Sequence, residues 1–337
     1  MSKLQTAEDF FTDFTSYVRC AKKSIRIQTM NFEVGERMDI LEPLLIDAAK
    51  RGVKVEIYCD WVAQKFIQGD LPLLPILLSK KKDIVKVHRR NTEMRRRLQR
   101  YGVVIRVTNI PSILTSWFPA FGRDHKKIYI IDNKIAWIGG INIFDEAFHN
   151  IDIMVRFTDS DIVNSLLKIY GAKNYSHEYN INDKYSLYID SGQVGKSIIY
   201  DNAIKAVRSA NKKIVFISQF VPDGHLLNNL ICATKRNIEV TVITSSREDR
   251  KFNRYPEKFT YHFFKRRLSK HPNIRFIHLN NRVHAKLLLV DDSVAFVGSH
   301  NFTFMGILMG TEEITVKTID PDLIKQLKLF IDKIVHL

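Results

Sequence analysis

An α/β fold built from two similar halves follows from two features of the 337-residue sequence. A four-part pattern occurs twice in the same order, and its strands are short Ile/Val-rich runs separated by helical stretches. The first copy reads AKKSIRIQTMNF, AAKRGVKVEIYCD, GVVIRVTN and HKKIYIIDNKIAWIGGIN. The second reads ANKKIVFISQFV, CATKRNIEVTVITS, HPNIRFIHLN and HAKLLLVDDSVAFVGSHN. Strands that are apolar on both faces and alternate with helices indicate a mainly parallel or mixed sheet flanked by helices in each half. The halves are expected to divide the chain into residues 1–158 and 159–337.

Taken in order, the chain opens on MSKLQTAEDFF, which lacks the apolar core of a signal peptide, and Thr6 to Asp9 has the pattern of a helix start. The expected location is cytoplasmic. Strands follow at Ile25 to Ile27 and Val53 to Ile57. From Ile25 to His125 is 100 positions, but from the matching Ile214 to His284 only 70, and the surplus falls between Asp60 and Val103. That insertion, at about 62–102, contains LPLLPILL (Leu71 to Leu78), then Lys80, Lys81 and Lys82, then Arg89, Arg90, Arg95, Arg96, Arg97 and Arg100. An apolar patch beside a cationic cluster suits a membrane surface with anionic headgroups. A core-packed turn followed by a solvated basic helix fits the same residues, because Pro72 and Pro75 interrupt any continuous amphipathic helix.

Composition narrows the function classes. Apolar residues make up 45% and charged residues 26%, which excludes a disordered chain. A net charge of +16 implies a polyanionic partner: an anionic phospholipid or membrane surface, or alternatively nucleic acid. Cys20, Cys59 and Cys232 are too scattered for a disulfide framework or a zinc site, and are expected to be reduced and mostly buried. No run approaches the ~18 apolar residues of a membrane span, so membrane contact is expected to be peripheral, at the inner face.

The chemistry concentrates in two HxKxxxxD motifs, His125/Lys127/Asp132 and His284/Lys286/Asp291. Residues two apart in a strand share a face, so each histidine projects beside its lysine. Each aspartate is seven positions on, roughly 23 Å along a strand at ~3.3 Å per residue, too far to orient its histidine. Asp132-Asn133 and Asp291-Asp292 read instead as hairpin turns, which makes both motif aspartates structural. The returning strands bring Asn142 and Asn301 back beside the histidines, each 17 positions after its own. One HxKxxxxD is a weak pattern; two copies, each followed at the same distance by GG or GS and then Asn, are strong.

These residues resemble the phospholipase D superfamily, which is defined by paired HxKxxxxD motifs with GSxN downstream, over about Ile25 to Val316. RDHKKIYIIDNKIAWIGGINIFDE is similar to bacterial cardiolipin synthases. GSHNFT is closer to the small endonucleases of the superfamily, and Met305-Gly306 stands where synthases usually carry RS. The resemblance implies two α/β halves related by a pseudo-twofold axis, with one site on the seam and no cofactor or metal. It also implies a phosphohistidine intermediate, one histidine attacking phosphorus while the other serves as acid and then base. By the same resemblance His125 is the nucleophile. Lys127, Lys286, Asn142 and Asn301 are expected to hold the phosphate oxygens. Arg123, Gly140 and Ser299 are the expected substrate contacts. An acid is expected behind each histidine: Asp152 for His125, and either Glu312 or Glu313 for His284. Trp117, Phe118 and Phe121, just before His125, suit a lipid interface, base stacking or loop packing. The expected activity is phosphatidyl transfer on phospholipids, with a metal-independent nuclease as the alternative. Both motifs lie in one chain, so dimerisation is not needed to complete the site.

Overall fold

A computed structural model describes residues 2–61, 63, 82–110, 122–172, 176–245, 263, 265–268 and 270–336. The LPLLPILL run, Lys80, Lys81 and the aromatic segment with Trp117, Phe118 and Phe121 lie outside these residues.

Each half forms one mixed sheet. The first contains β1 (Ser2–Thr6), β2 (Ser24–Thr29), β3 (Lys54–Asp60), β4 (Val104–Thr108), β5 (Ile128–Ile131), β6 (Ile135–Gly139) and β7 (Ile153–Phe157), in the order β1-β7-β6-β5-β2-β3-β4. The second contains β8 (His177–Asn180), β9 (Tyr185–Ser191), β10 (Lys213–Ile217), β11 (Glu239–Ser245), β12 (Ile274–Leu279), β13 (Leu287–Val290), β14 (Val294–Gly298) and β15 (Glu312–Thr318), in the order β12-β11-β10-β13-β14-β15-β9-β8. Parallel pairing is confined to β2-β3-β4 and β10-β11-β12; the other ladders are antiparallel. The motif hairpins impose this, because a two-residue turn can join only antiparallel neighbours, whereas the parallel pairs need crossovers. The N-terminal residues, from which no strand was expected, pair antiparallel with β7 at the sheet edge.

Helices sort by the spacing of their apolar residues. In α1 (Ala7–Cys20), Phe10, Phe11, Phe14 and Val18 fall on one buried face, and Thr6 with Asp9 forms a capping box at its start. With α2 (Glu36–Lys50) and α3 (Lys82–Arg100), α1 covers the outer face of the first sheet. The inner face of each sheet is packed by α4 (Ser160–Ile169) and α7 (Pro321–Val335), while α5 (Ile198–Ser209) and α6 (Gly224–Lys235) cover the second sheet's outer face. Alternation along β5 shows the layering: Ile128 and Ile130 join the central core, Tyr129 and Ile131 the outer one.

One expectation is revised. Only Cys59 is buried; Cys20 and Cys232 are exposed, because both lie on helices that turn one face to solvent. The basic stretch of the insertion forms α3, whose Met94 and Leu98 enter the core and whose Arg97 holds Glu42 in a two-pronged contact at 2.8 and 2.9 Å. Arg90, Arg96 and Arg100 line its exposed side.

Candidate active site

His125 to Lys127 lead into β5 and His284 to Lys286 lead into β13, so the two motifs occupy equivalent places in the two sheets. All four turn residues, Asp132, Asn133, Asp291 and Asp292, have positive φ between 52° and 57°, as a type I′ hairpin turn requires. The Asp132 carboxylate accepts hydrogen bonds from the backbone N–H groups of Lys22, Lys23 and Ser24, and Asp291 from those of Asn211, Lys212 and Lys213. Partial burial pushes both carboxyls up, but these N–H donors outweigh it and hold both below the usual range. Each aspartate thus pins its hairpin to the start of the neighbouring strand, β2 or β10.

A seam of backbone hydrogen bonds joins the halves with the same geometry on both sides. His125 N–H donates to the carbonyl of Glu312 (2.9 Å) and Glu312 N–H to that of Arg123 (2.8 Å). His284 N–H donates to the carbonyl of Ile151 (2.8 Å) and Ile151 N–H to that of Arg282 (2.8 Å). Glu312 and Ile151 each precede an acid, so the seam delivers each half's acid to the other half's histidine. His284 Nδ1 lies 2.6 Å from Asp152 Oδ2, and His125 Nδ1 lies 2.8 and 3.0 Å from the two Glu313 oxygens.

This overturns the expected pairing of Asp152 with His125. Spacing within one half carries no information on a contact made across the seam. Strand alternation separates the two glutamates: Glu313 meets His125, while Glu312 faces the other way and pairs with Lys126 Nζ at 2.5 Å. The Lys126–Glu312 pair, supported by Asp124, was not anticipated; only the side-by-side acids at 312 and 313 hinted that one of them had another partner.

Gly140 and Ser299 lie against these carboxylates. A Cβ on Gly140 would sit 2.3 Å from Asp152 Oδ1, so the short aspartate fits only because nothing projects there. Glu313 is longer by one methylene and leaves room for Ser299, a fully buried residue whose hydroxyl donates to Glu313 and accepts from Ile314 N–H at 3.0 Å. Gly140 with Asp152 and Ser299 with Glu313 are therefore size-matched alternatives at equivalent positions.

Lys127 and Lys286 are fully buried, and each Nζ donates to the carbonyl of its own histidine. Burial pulls their pKa values down to about 7 and about 8; Glu313 and Asp152 oppose this, and Lys286 adds to the depression at Lys127. Burial likewise lowers both histidines, with the two lysines adding to it. Burial would raise Asp152 and Glu313, but their histidine and lysine partners override it, and both remain ionised well below neutral pH. At neutral pH each carboxylate accepts the Nδ1–H of a neutral imidazole, which leaves Nε2 as a bare lone pair.

Asn142 Oδ1 accepts from Thr29 Oγ1 (3.1 Å) and Asn31 N–H (3.3 Å), so its amide N–H groups remain as donors. Asn301 is tied by its own carbonyl, which accepts from Ser218 Oγ, and its buried Oδ1 has no partner. Arg123 Nε is also buried without a partner.

Two matched halves that bring His, Lys and Asn to a common seam fit the phospholipase D superfamily. The chain belongs to the family described as "Cardiolipin synthase, PLD-like domain", which it matches over residues 15–172 and 203–335. It is 25% identical over 235 residues to "Cardiolipin synthase 1" of Staphylococcus epidermidis, covering 63% of this chain and 47% of that one. It is 25% identical over 342 residues to "Cardiolipin synthase A" of Proteus mirabilis, covering 92% of this chain and 64% of that one. The chain therefore spans about half to two thirds of the length of these relatives. The solved phosphatidylserine synthase of Haemophilus influenzae shares the fold, with a TM-score of 0.72 at 15% identity over 98% of this chain and 84% of that one.

Proposed function

We propose that this chain transfers a phosphatidyl group between phospholipids through a phosphohistidine, residues 1–158 supplying the nucleophile and residues 159–337 the acid/base. The observation that carries this reading is the pair of imidazoles, each held at Nδ1 by a carboxylate across the seam, with a buried lysine beside each. His125 Nε2 attacks phosphorus, and the bond from phosphorus to the departing alcohol oxygen breaks. His284 gives that oxygen a proton. It is neutral in the unliganded site, but a bound phosphodiester offsets the lysine charge and favours the imidazolium. His284 then takes the proton of an incoming hydroxyl, whose oxygen displaces His125 from phosphorus. Lys127, Lys286 and the Asn142 amide stabilise charge on the non-bridging oxygens.

The names of the relatives favour a lipid substrate over nucleic acid. No helix among the described residues is long and apolar enough to cross a membrane. The reading therefore has the protein work peripherally on an anionic surface, with the exposed arginines of α3 contributing attraction. Incubation with phosphatidylglycerol vesicles, and separately with DNA in EDTA, tests it. Cardiolipin and free glycerol are expected; DNA cleavage without lipid turnover would sink the proposal. His125→Ala and His284→Ala should each abolish activity.

A further inference from the structure

The two motif asparagines are fastened by different means. In the first half the backbone does it: Ile143, next after Asn142, donates its N–H to the Asn31 carbonyl (3.1 Å) and accepts from Glu33 N–H (3.0 Å). In the second half Phe302 stands next after Asn301, and its N–H goes to a side chain, His300 Nδ1, at 2.8 Å. Phe302 has a φ of 54°, a left-handed conformation that a bulky residue rarely adopts, so the chain leaves Asn301 on a tight turn. The side chains differ as well. Asn142 Oδ1 accepts two hydrogen bonds, whereas Asn301 Oδ1 is buried without a partner, so the direction of the Asn301 amide is set by its backbone.

His300 has no polar counterpart in the first half. Ile141, which precedes Asn142 as His300 precedes Asn301, is fully buried in the outer apolar core. His300 is also buried, at 4% exposure, but it enters a polar cluster with the buried Asp190 and Ser197. Ser197 Oγ donates to Asp190 Oδ2 (2.5 Å) and accepts from Tyr200 N–H (2.9 Å), and Asp190 Oδ1 accepts from Ile198 N–H (2.8 Å), which ties both to the start of α5. His300 Nε2 faces this pair, 3.5 Å from Ser197 Oγ and 3.9 Å from Asp190 Oδ2. Burial pulls the ring's pKa down to about 4 against the pull of Glu313, so it is neutral at neutral pH. A neutral ring that accepts at Nδ1 carries its proton on Nε2, the reverse of His125 and His284.

We propose that His300 is a positioning residue for Asn301: its Nδ1 fixes the Phe302 turn and so aims the Asn301 amide, a task that backbone pairing performs for Asn142. Asp190 and Ser197 hold the far edge of the ring in the orientation this requires. The inference rests on Asn301 holding a non-bridging oxygen of the phosphodiester during transfer.

A double-mutant cycle separates aiming from general support. His300→Phe keeps a ring and removes the acceptor, and Asn301→Ala removes the amide. Asn301→Ala should lower kcat about 100-fold or more, as loss of one oxyanion donor does, and His300→Phe about 10-fold or more. On the Asn301→Ala chain, His300→Phe should cost less than about 2-fold, because the group it aims is already gone. His300→Asn, whose Oδ1 can accept in place of Nδ1, should stay within about 3-fold of wild type. Additive losses in the cycle, or a loss in His300→Asn as large as in His300→Phe, overturn the proposal. The cycle is run on phosphatidylglycerol vesicles and on bis(4-nitrophenyl) phosphate, a soluble phosphodiester. A wild type that cleaves the soluble diester but makes no cardiolipin fails the phosphatidyl-transfer reading and leaves the cycle readable. Where a variant fails to fold by thermal melting, or neither substrate turns over, nitrogen NMR on 15N-histidine wild-type protein decides. An Nε2–H ring at His300 supports the proposal, and an Nδ1–H ring overturns it.

Discussion

Exchanging single carboxylates across the seam separates the two histidines. Glu313→Gln replaces the carboxylate at 2.8 and 3.0 Å from His125 Nδ1 with a neutral amide, which can also present an N–H to that nitrogen, and leaves the 2.6 Å contact of Asp152 with His284 intact; Asp152→Asn does the reverse. A hydrogen bond to a charged group is worth about 1.5–3 kcal/mol, so the loss in kcat/KM starts at roughly 10- to 150-fold. It approaches ~10⁴-fold if the imidazole also settles in the wrong tautomer, as when the orienting acid of a catalytic triad is removed. Nitrogen NMR on 15N-histidine protein reads the rings directly. Glu313→Gln should disturb the tautomer of His125 only, and Asp152→Asn that of His284 only. Rapid-quench trapping adds the chemical side, with Glu313→Gln slowing phosphohistidine formation and Asp152→Asn slowing both proton transfers. If Asp152→Asn perturbed His125 while His284 kept its wild-type signals, the crossed arrangement would be wrong.

Further outcomes follow from the same geometry. Gly140→Ala should lower activity about as far as Asp152→Asn, since its Cβ would land 2.3 Å from the carboxylate. Gly140→Ser combined with Asp152→Glu, which copies the other half, should recover activity relative to Gly140→Ser alone in the same vesicle assay. Asp132→Ala and Asp291→Ala should each cost about 1–3 kcal/mol of stability in denaturant melts, while activity per folded molecule persists. Because both folded carboxyls sit below their unfolded value near 4, their contribution is complete above that pH and is lost as pH falls through the folded values, so each variant should flatten the acid side of the stability curve. The lysines act on the alkaline side. Their folded values of about 7 and 8 lie below the unfolded ~10.4, so the unfolded chain holds more protons between these limits and the two lysines make stability rise with pH there. Loss of their charge over pH 7 to 8 should raise KM for the phosphodiester; a flat KM across that range would refute the assigned oxygen-binding role.

The sequence by itself determined the duplicated α/β halves, the facing of each histidine with its lysine, and the reduction of Asp132 and Asp291 to hairpin anchors. These are local matters: strand alternation, two-residue turns and spacing are properties of consecutive residues. It also showed that Glu312 and Glu313 had to be told apart, which alternation on β15 resolves only once the opposite faces of that strand have known neighbours. The crossed acids were decided by the tertiary structure alone. His125 meets Glu313 and His284 meets Asp152 because backbone hydrogen bonds at Glu312 and Ile151 stitch one half to the other, and no periodicity within either half records that stitch. The same seam fixes why Gly140 has no side chain where Ser299 has one: the volume available behind each carboxylate depends on a partner 132 or 188 positions away.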